Sequence, residues 1–214
     1  MKKLIAPLLA LALAAPALAF AAPADETNVT AGLETGFVDL QNGRQDYNGV
    51  RTEIDGVRNA LRYEARFAVG NAGDTTAKTA DLSVGKLAYG DIVGPKVRYL
   101  HLDNGPRVEA LALGGVGLYA RPQPNVVVWS DALIGDNAFS TRIGGELGVM
   151  PKLSLLGEVE ALSIDDEVSA IAMVGARYDI DRVGSLDFKV RHYDEGLDDG
   201  VKGTVGSVGL SISF

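Results

Sequence analysis

The chain has 214 residues, no cysteine, and 28 acidic against 20 basic side chains, a formal net charge of −8. Without thiols it can hold neither a disulfide nor a lipid-bearing cysteine. An acidic chain with no basic stripe is a poor partner for nucleic acid or for an anionic lipid surface. Hydrophobic residues make up 47% of it, yet beyond the first segment no apolar run approaches the ~20 residues of a membrane-crossing helix. The longest uncharged stretch there, Ala110 to Ala120, is glycine-rich and bounded by Glu109 and Arg121.

The first segment has its own logic. Lys2 and Lys3 precede an apolar run from Leu4 to Leu18, and small residues follow at Ala17, Ala19, Ala21 and Ala22. That is the layout of an export signal peptide, with cleavage after Ala19 or after Ala21 both acceptable. The chain therefore divides into a signal peptide over 1–21 and one domain over 22–214, which is more acidic still once the two leader lysines are gone.

From there the chain reads as strand after strand. Asn42-Gly43 marks the first turn and Val57 to Asn59 the second. Leu61 to Val69 alternates most clearly, with Leu61, Tyr63, Ala65, Phe67 and Val69 on one face and Arg62, Glu64 and Arg66 on the other. Further turn signals fall at Asn71 to Asp74, Asp91 to Pro95, Asp103 to Pro106, Arg121 to Pro124, Gly135 to Asn137 and Pro151-Lys152. Leu155, Gly157, Val159 and Ala161 then alternate with Glu158 and Glu160. After Asp165 to Glu167 the pattern returns over Val168 to Ile180, and after Asp181 to Gly184 over Leu186 to Arg191. A polar loop, Asp194 to Gly200, leads to the most regular stretch: Thr204, Gly206, Val208, Leu210, Ile212 and Phe214 against Val205, Ser207, Gly209, Ser211 and Ser213.

Long polar turns alternate with tight ones, as two rims of one barrel require. The count is about twelve strands, or ten or eight if the weak stretches Val50 to Ile54 and Lys96 to Leu102 merge with neighbours. An even number of ~9–11-residue strands is the signature of an all-β, antiparallel, up-and-down transmembrane barrel. Its apolar face is expected to meet lipid, with aromatics near the strand ends (Phe37, Tyr63, Tyr89, Trp129, Tyr178) forming interfacial girdles. The charges then point into the lumen: Glu34, Arg62, Glu64, Arg66, Glu109, Arg142, Glu146, Glu158, Glu160, Arg177, Asp179, Asp187, Lys189 and Arg191. At about twelve strands that lumen is intermediate, either a narrow polar pore or a plug of cross-strand ion pairs. Alternation alone also allows a soluble periplasmic barrel holding a small ligand.

The final strand carries a resemblance. Ser207-Val208-Gly209-Leu210-Ser211-Ile212-Ser213-Phe214 looks like the terminal β-signal of Gram-negative outer-membrane barrels: polar, any, Gly, any, any, hydrophobic, any, aromatic. The resemblance implies that the barrel-assembly machinery reads Ser207, Gly209, Ile212 and Phe214, and that this strand closes against the first. A terminal edge strand with one apolar face is otherwise an aggregation hazard. The size and the glycine-rich hairpins of the second half resemble the YfaZ-type porin-like proteins.

The resemblance to outer-membrane barrels also invites an enzymatic reading. The barrel phospholipases and lipid A deacylases pair Ser with His, but His101 lies in Tyr-Leu-His-Leu-Asp and His192 in Arg-His-Tyr-Asp, with no Ser two residues on. The acidic group Asp194, Glu195, Asp198 and Asp199 has no ordered calcium-loop spacing. Gly114-Gly115-Val116-Gly117 lacks the helix a phosphate loop needs and reads as close strand packing. The expectation is a monomeric porin-like channel or structural barrel of the outer membrane, without catalytic residues, metal or cofactor. Its partners would be outer-membrane lipid and lipopolysaccharide, the assembly machinery, and no nucleic acid. The alternatives are a lipid-modifying barrel enzyme and the soluble barrel.

Overall fold

The structure, a computed structural model, describes residues 26–40, 43–87, 93–103, 108–165, 167–180, 184–194 and 202–213. The proposed leader lies outside them. Twelve strands follow in order: β1 (Glu26–Leu40), β2 (Gly43–Arg58), β3 (Leu61–Ala72), β4 (Thr75–Lys86), β5 (Val93–Asp103), β6 (Val108–Gln123), β7 (Val126–Ile134), β8 (Ala138–Met150), β9 (Leu153–Ile164), β10 (Glu167–Ile180), β11 (Gly184–Asp194) and β12 (Lys202–Ser213). Each pairs antiparallel with its chain neighbours, and β12 pairs with β1 from Asn28↔Ser213 to Asp39↔Lys202, so the sheet closes into a barrel without an edge. The weak stretches do not merge with neighbours: they are the bodies of β2 and β5.

The start of β1 and the end of β12 share one rim, called here the near rim. Connections at this rim include two-residue turns, Asn59-Ala60, Pro124-Asn125 and Pro151-Lys152. Asn59 and Ala60 both have positive φ, 50° and 60°, the turn geometry whose twist matches a hairpin. The far rim carries the polar turns, among them Gly135 to Asn137 and the connection from Asp194 to Lys202.

Alternation decides what each strand shows to the outside. Leu33, Val50, Val97, Ile134, Ile143, Val159, Val174 and Val208 are exposed, and with Phe67, Leu82, Leu155 and Phe188 they form an apolar band round the barrel. Among the described residues, charged outer side chains keep to the rims. Arg44, Asp46 and the pairs Lys78–Asp103 (3.7 Å) and Lys202–Asp194 (3.4 Å) stand at the far rim, and Arg58 and Lys86 at the near one. A soluble barrel would place its charges here; this one hides them. Strands of 9–16 residues cross the ~25 Å apolar band of such a barrel when tilted.

The aromatic girdle needs one correction. Phe37 lies outside at the far rim beneath the Arg44 guanidinium (3.3 Å), Tyr63 shares a hydrogen bond with Thr27 near the other rim, and Tyr178 is exposed. Tyr89 falls outside the described residues. Trp129 turns inward and donates Nε1–H to Glu158 (2.8 Å). Its ring lies over Gly144, its cross-strand partner, where any Cβ would come within 2.6 Å of the indole. The polar indole nitrogen has a carboxylate inside and would have had none in the apolar band.

Ala65, on the outer face of β3, tests this orientation. Replacing it by Arg should destabilise the refolded barrel by about 2–4 kcal/mol, read from urea unfolding in lipid vesicles, whereas Ala65→Val, which keeps the outer face apolar, should leave the unfolding curve nearly unchanged.

Candidate functional site: the barrel lumen

The inward residues of the near-rim half and of the middle of the barrel are charged and almost fully paired. Arg142, 1% exposed, donates from Nη2 to Glu64 (2.5 Å) and Asp131 (2.9 Å). Lys96 reaches Asp131 at 2.7 Å and stands 3.6 Å from Glu64. Arg62 adds a third cation to Glu64 (2.5 Å), its guanidinium lying over the rings of Tyr119 and Trp129. Arg177 bonds Asp187 (3.0 Å) and Glu146 (3.1 Å). Around the closing strands, Arg51 donates to Glu34, Lys189 to Glu53, and Arg191 to Glu53 (2.5 Å) and Glu34 (3.4 Å). Tyr47 donates its hydroxyl to Glu34 (3.1 Å).

Two arginines tie distant walls together. Arg98 of β5 forms a two-bond fork with Asp81 (2.8 and 2.9 Å) and reaches Glu160 of β9 (2.5 Å) and Ser140 (2.8 Å). Arg66 of β3 makes a bidentate pair with Glu158 of β9 (2.9 and 3.1 Å). In a ring of twelve, β3 and β9 are six places apart in either direction, so this pair spans the lumen. Of the two arrangements the sequence allows, the geometry is a salt-bridged plug. Beside it, small inward residues at the β12–β1 junction (Thr30, Gly32, Ser207, Gly209) line a gap of about 10 Å³, the size of a single water.

The far-rim half is different. Leu100, Leu113, Leu133, Ala138, Leu162 and Ile164 turn inward and pack together along β5–β9. Val38, Ala72 and Val205 do so across β12, β1 and β3, with Tyr47 and Tyr193 against them. Between the clusters lies a cavity of about 230 Å³ whose floor is the charged layer. The inner face thus changes from charged to apolar part-way up single strands, as in β9, where Glu158 and Glu160 give way to Leu162 and Ile164.

Twelve of the fourteen charges singled out in the sequence turn inward into ion pairs: Glu34, Arg62, Glu64, Arg66, Arg142, Glu146, Glu158, Glu160, Arg177, Asp187, Lys189 and Arg191. Asp179 is exposed at the near rim, where its backbone N–H bonds the Lys152 carbonyl (2.9 Å). The Glu109 side chain lies outside the described residues. Sequence reasoning missed Arg51, Glu53, Asp55, Asp81, Lys96, Arg98 and Asp131. Alternation in β2 (Val50, Thr52, Ile54 against Arg51, Glu53, Asp55) was a usable signal; in β5 it was blurred because the inward set runs Lys96, Arg98, Leu100, Leu102. On β12, Ser207 and Gly209 face inward opposite Glu34 and Gly32 of β1, and Ile212 pairs with Val29, while Phe214 lies outside the described residues. His101 and His192 stand on the outer face; His192 Nδ1 is 3.0 Å from Thr204 Oγ1. Of the acidic loop only Asp194 is described, and among the described residues no cluster of metal-ligating side chains occurs.

A closed, all-antiparallel barrel with an apolar outer band and buried charges defines the class: a porin-like transmembrane β-barrel. The sequence matches no protein-family profile and no curated protein. In fold, the chain is similar to an outer membrane channel from Pseudomonas putida F1 (TM-score 0.55, 12% identity, 93% of this chain and 99% of that one). It is similar to the NanC porin (0.57, 10%, 87% and 98%) and to the outer membrane phospholipase A of Escherichia coli (0.52, 13%, 92% and 93%). At such identities the likeness is one of fold.

The spanning pair makes a stability prediction. Arg66→Met alone strands Glu158 in the plug and should cost about 3–5 kcal/mol, whereas Arg66→Met with Glu158→Met should recover most of that loss. Urea unfolding of both variants in lipid vesicles, compared with each single change, checks it.

Proposed function

We propose that the protein is an exported outer-membrane channel of narrow bore, porin-like in architecture and held nearly closed by its own ion pairs. The observation that carries the proposal is the Arg66–Glu158 bridge across the lumen, with the small-residue strip along β12–β1 leaving a water-sized gap beside it. The apolar outer band supports insertion in a bilayer, and fold neighbours named as outer-membrane channels and porins support the location. The phospholipase neighbour alone does not favour an enzymatic reading: among the described residues no serine hydrogen-bonds either histidine, and His192 Nδ1 stands 3.0 Å from Thr204 Oγ1. In planar bilayers the refolded protein should show only small, brief conductance steps. Arg66→Ala with Glu158→Ala should raise the unitary conductance several-fold, since the removed side chains are those that meet at the centre. Equal conductance in the two proteins would mean that the pair does not limit passage.

The same reading takes the near rim as periplasmic and the last strand as the assembly signal, with the likeness to YfaZ-type proteins a finer resemblance of the same kind. The pairing of β12 with β1 supports a terminal strand that is recognised and then closes the sheet. Deleting Phe214 should therefore reduce the heat-modifiable, assembled form in outer-membrane fractions far more than Ser213→Ala does.

A further inference from the structure

We infer that the far-rim half of the lumen is a binding vestibule for an uncharged, mainly apolar small molecule, aromatic or hydrocarbon in character. A conduit for water and ions would be polar along its whole length. Here the inward face is charged up to the level of the plug, and above it the walls are mainly apolar, Leu100, Leu162, Ile171, Met173, Tyr193 and Val205, with only uncharged Thr79 and Ser169 of the inward set among them. Core packing does not explain the arrangement fully either. The two apolar clusters stand on opposite sides of the barrel and leave between them a cavity of about 230 Å³, just under the usual ~300–1,000 Å³ of a small-molecule pocket and sized for a guest of one or two rings.

The floor sets the charge of the ligand. Its guanidinium groups are already matched to carboxylates, in Arg66–Glu158, Arg98–Glu160 and Arg51–Glu34. A charged guest would have to break a buried pair and strand its partner, which is costly, and the balanced floor offers no net attraction in return. An uncharged guest breaks nothing and covers the apolar walls. Tyr193 and Met173 suit an aromatic ring, the first through its face and the second through its polarisable sulfur. The vestibule faces the rim with the polar turns, so a guest arrives from that side and stops at the plug. The inference concerns binding and stands whether or not the barrel conducts.

Absence of native cysteine allows a direct test. Ser169→Cys places a thiol on the cavity wall, and Asn125→Cys places one in an exposed near-rim turn as control. Each protein is refolded in lipid vesicles and labelled with a water-soluble maleimide, alone or with 2-naphthol or glucose at matched concentration. The expected result is that 2-naphthol slows labelling at 169 at least threefold, glucose does not, and neither affects 125. Adding Leu162→Asn, or Ile171→Asn should that variant fail to give heat-modifiable barrel, should abolish the protection. Any of three results overturns the inference: no labelling at 169 without additive, equal protection by glucose, or equal slowing of both positions by 2-naphthol.

Discussion

A charge inside a twelve-stranded barrel has too little water to stand alone, and this requirement organises the rest of the molecule. Arg142 is the extreme case, 1% exposed and facing Glu64 and Asp131 together. Ion pairs of this kind return little net stability, because desolvation offsets most of the attraction. What they do supply is geometry: Arg51, Arg66, Arg98, Arg142, Arg177 and Arg191 each meet a particular carboxylate on another strand. Arg98 joins β4, β8 and β9, and Arg66 joins β3 to β9. The excess of acid over base then has to sit elsewhere, and among the described residues part of it stands at the far rim, at Asp136, Asp165 and Asp194.

The fold was legible because two periodicities coincided. Alternation named the strands, and the contrast between long polar turns and tight ones named the rims; the twelve strands lie between the turn signals read in the sequence. The plug was legible only residue by residue. A contrast such as Arg62, Glu64, Arg66 against Tyr63, Ala65, Phe67 gives direction but not partner, and nothing local links Arg66 to Glu158, 92 positions away. Trp129 was placed wrongly because an aromatic in an apolar strand looks like a girdle residue, whereas its site is set by Gly144 across the strand and by Glu158 beyond it.

The apolar vestibule was invisible for a different reason. Alternation detects a face by contrast with the other, so it fails where that contrast reverses. In β5 the inward residues pass from Lys96 and Arg98 to Leu100 and Leu102 while Val97 and Tyr99 hold the outside. Past Tyr99 the outside carries His101 and Asp103 against Leu100 and Leu102 inside, so the contrast reverses within one strand, and the change of lining along the barrel axis emerges only when neighbouring strands are in register. That register is strict, because a slip of one residue would put Arg98 in the apolar band and Tyr99 in the plug.

The junction of β1 with β12 carries one more consequence, for the order of events in folding. Every other pairing joins strands adjacent in the chain and can form as a hairpin, but Asn28 and Ser213 are almost the whole chain apart. Their contact removes more chain entropy than any other and cannot form until the rest of the meander exists. Until then the intermediate exposes two unpaired edges and a continuous apolar surface, the state most prone to aggregate. A chain built this way must travel to its membrane unpaired and shielded, and the last pairing it makes is also the step that removes it from danger.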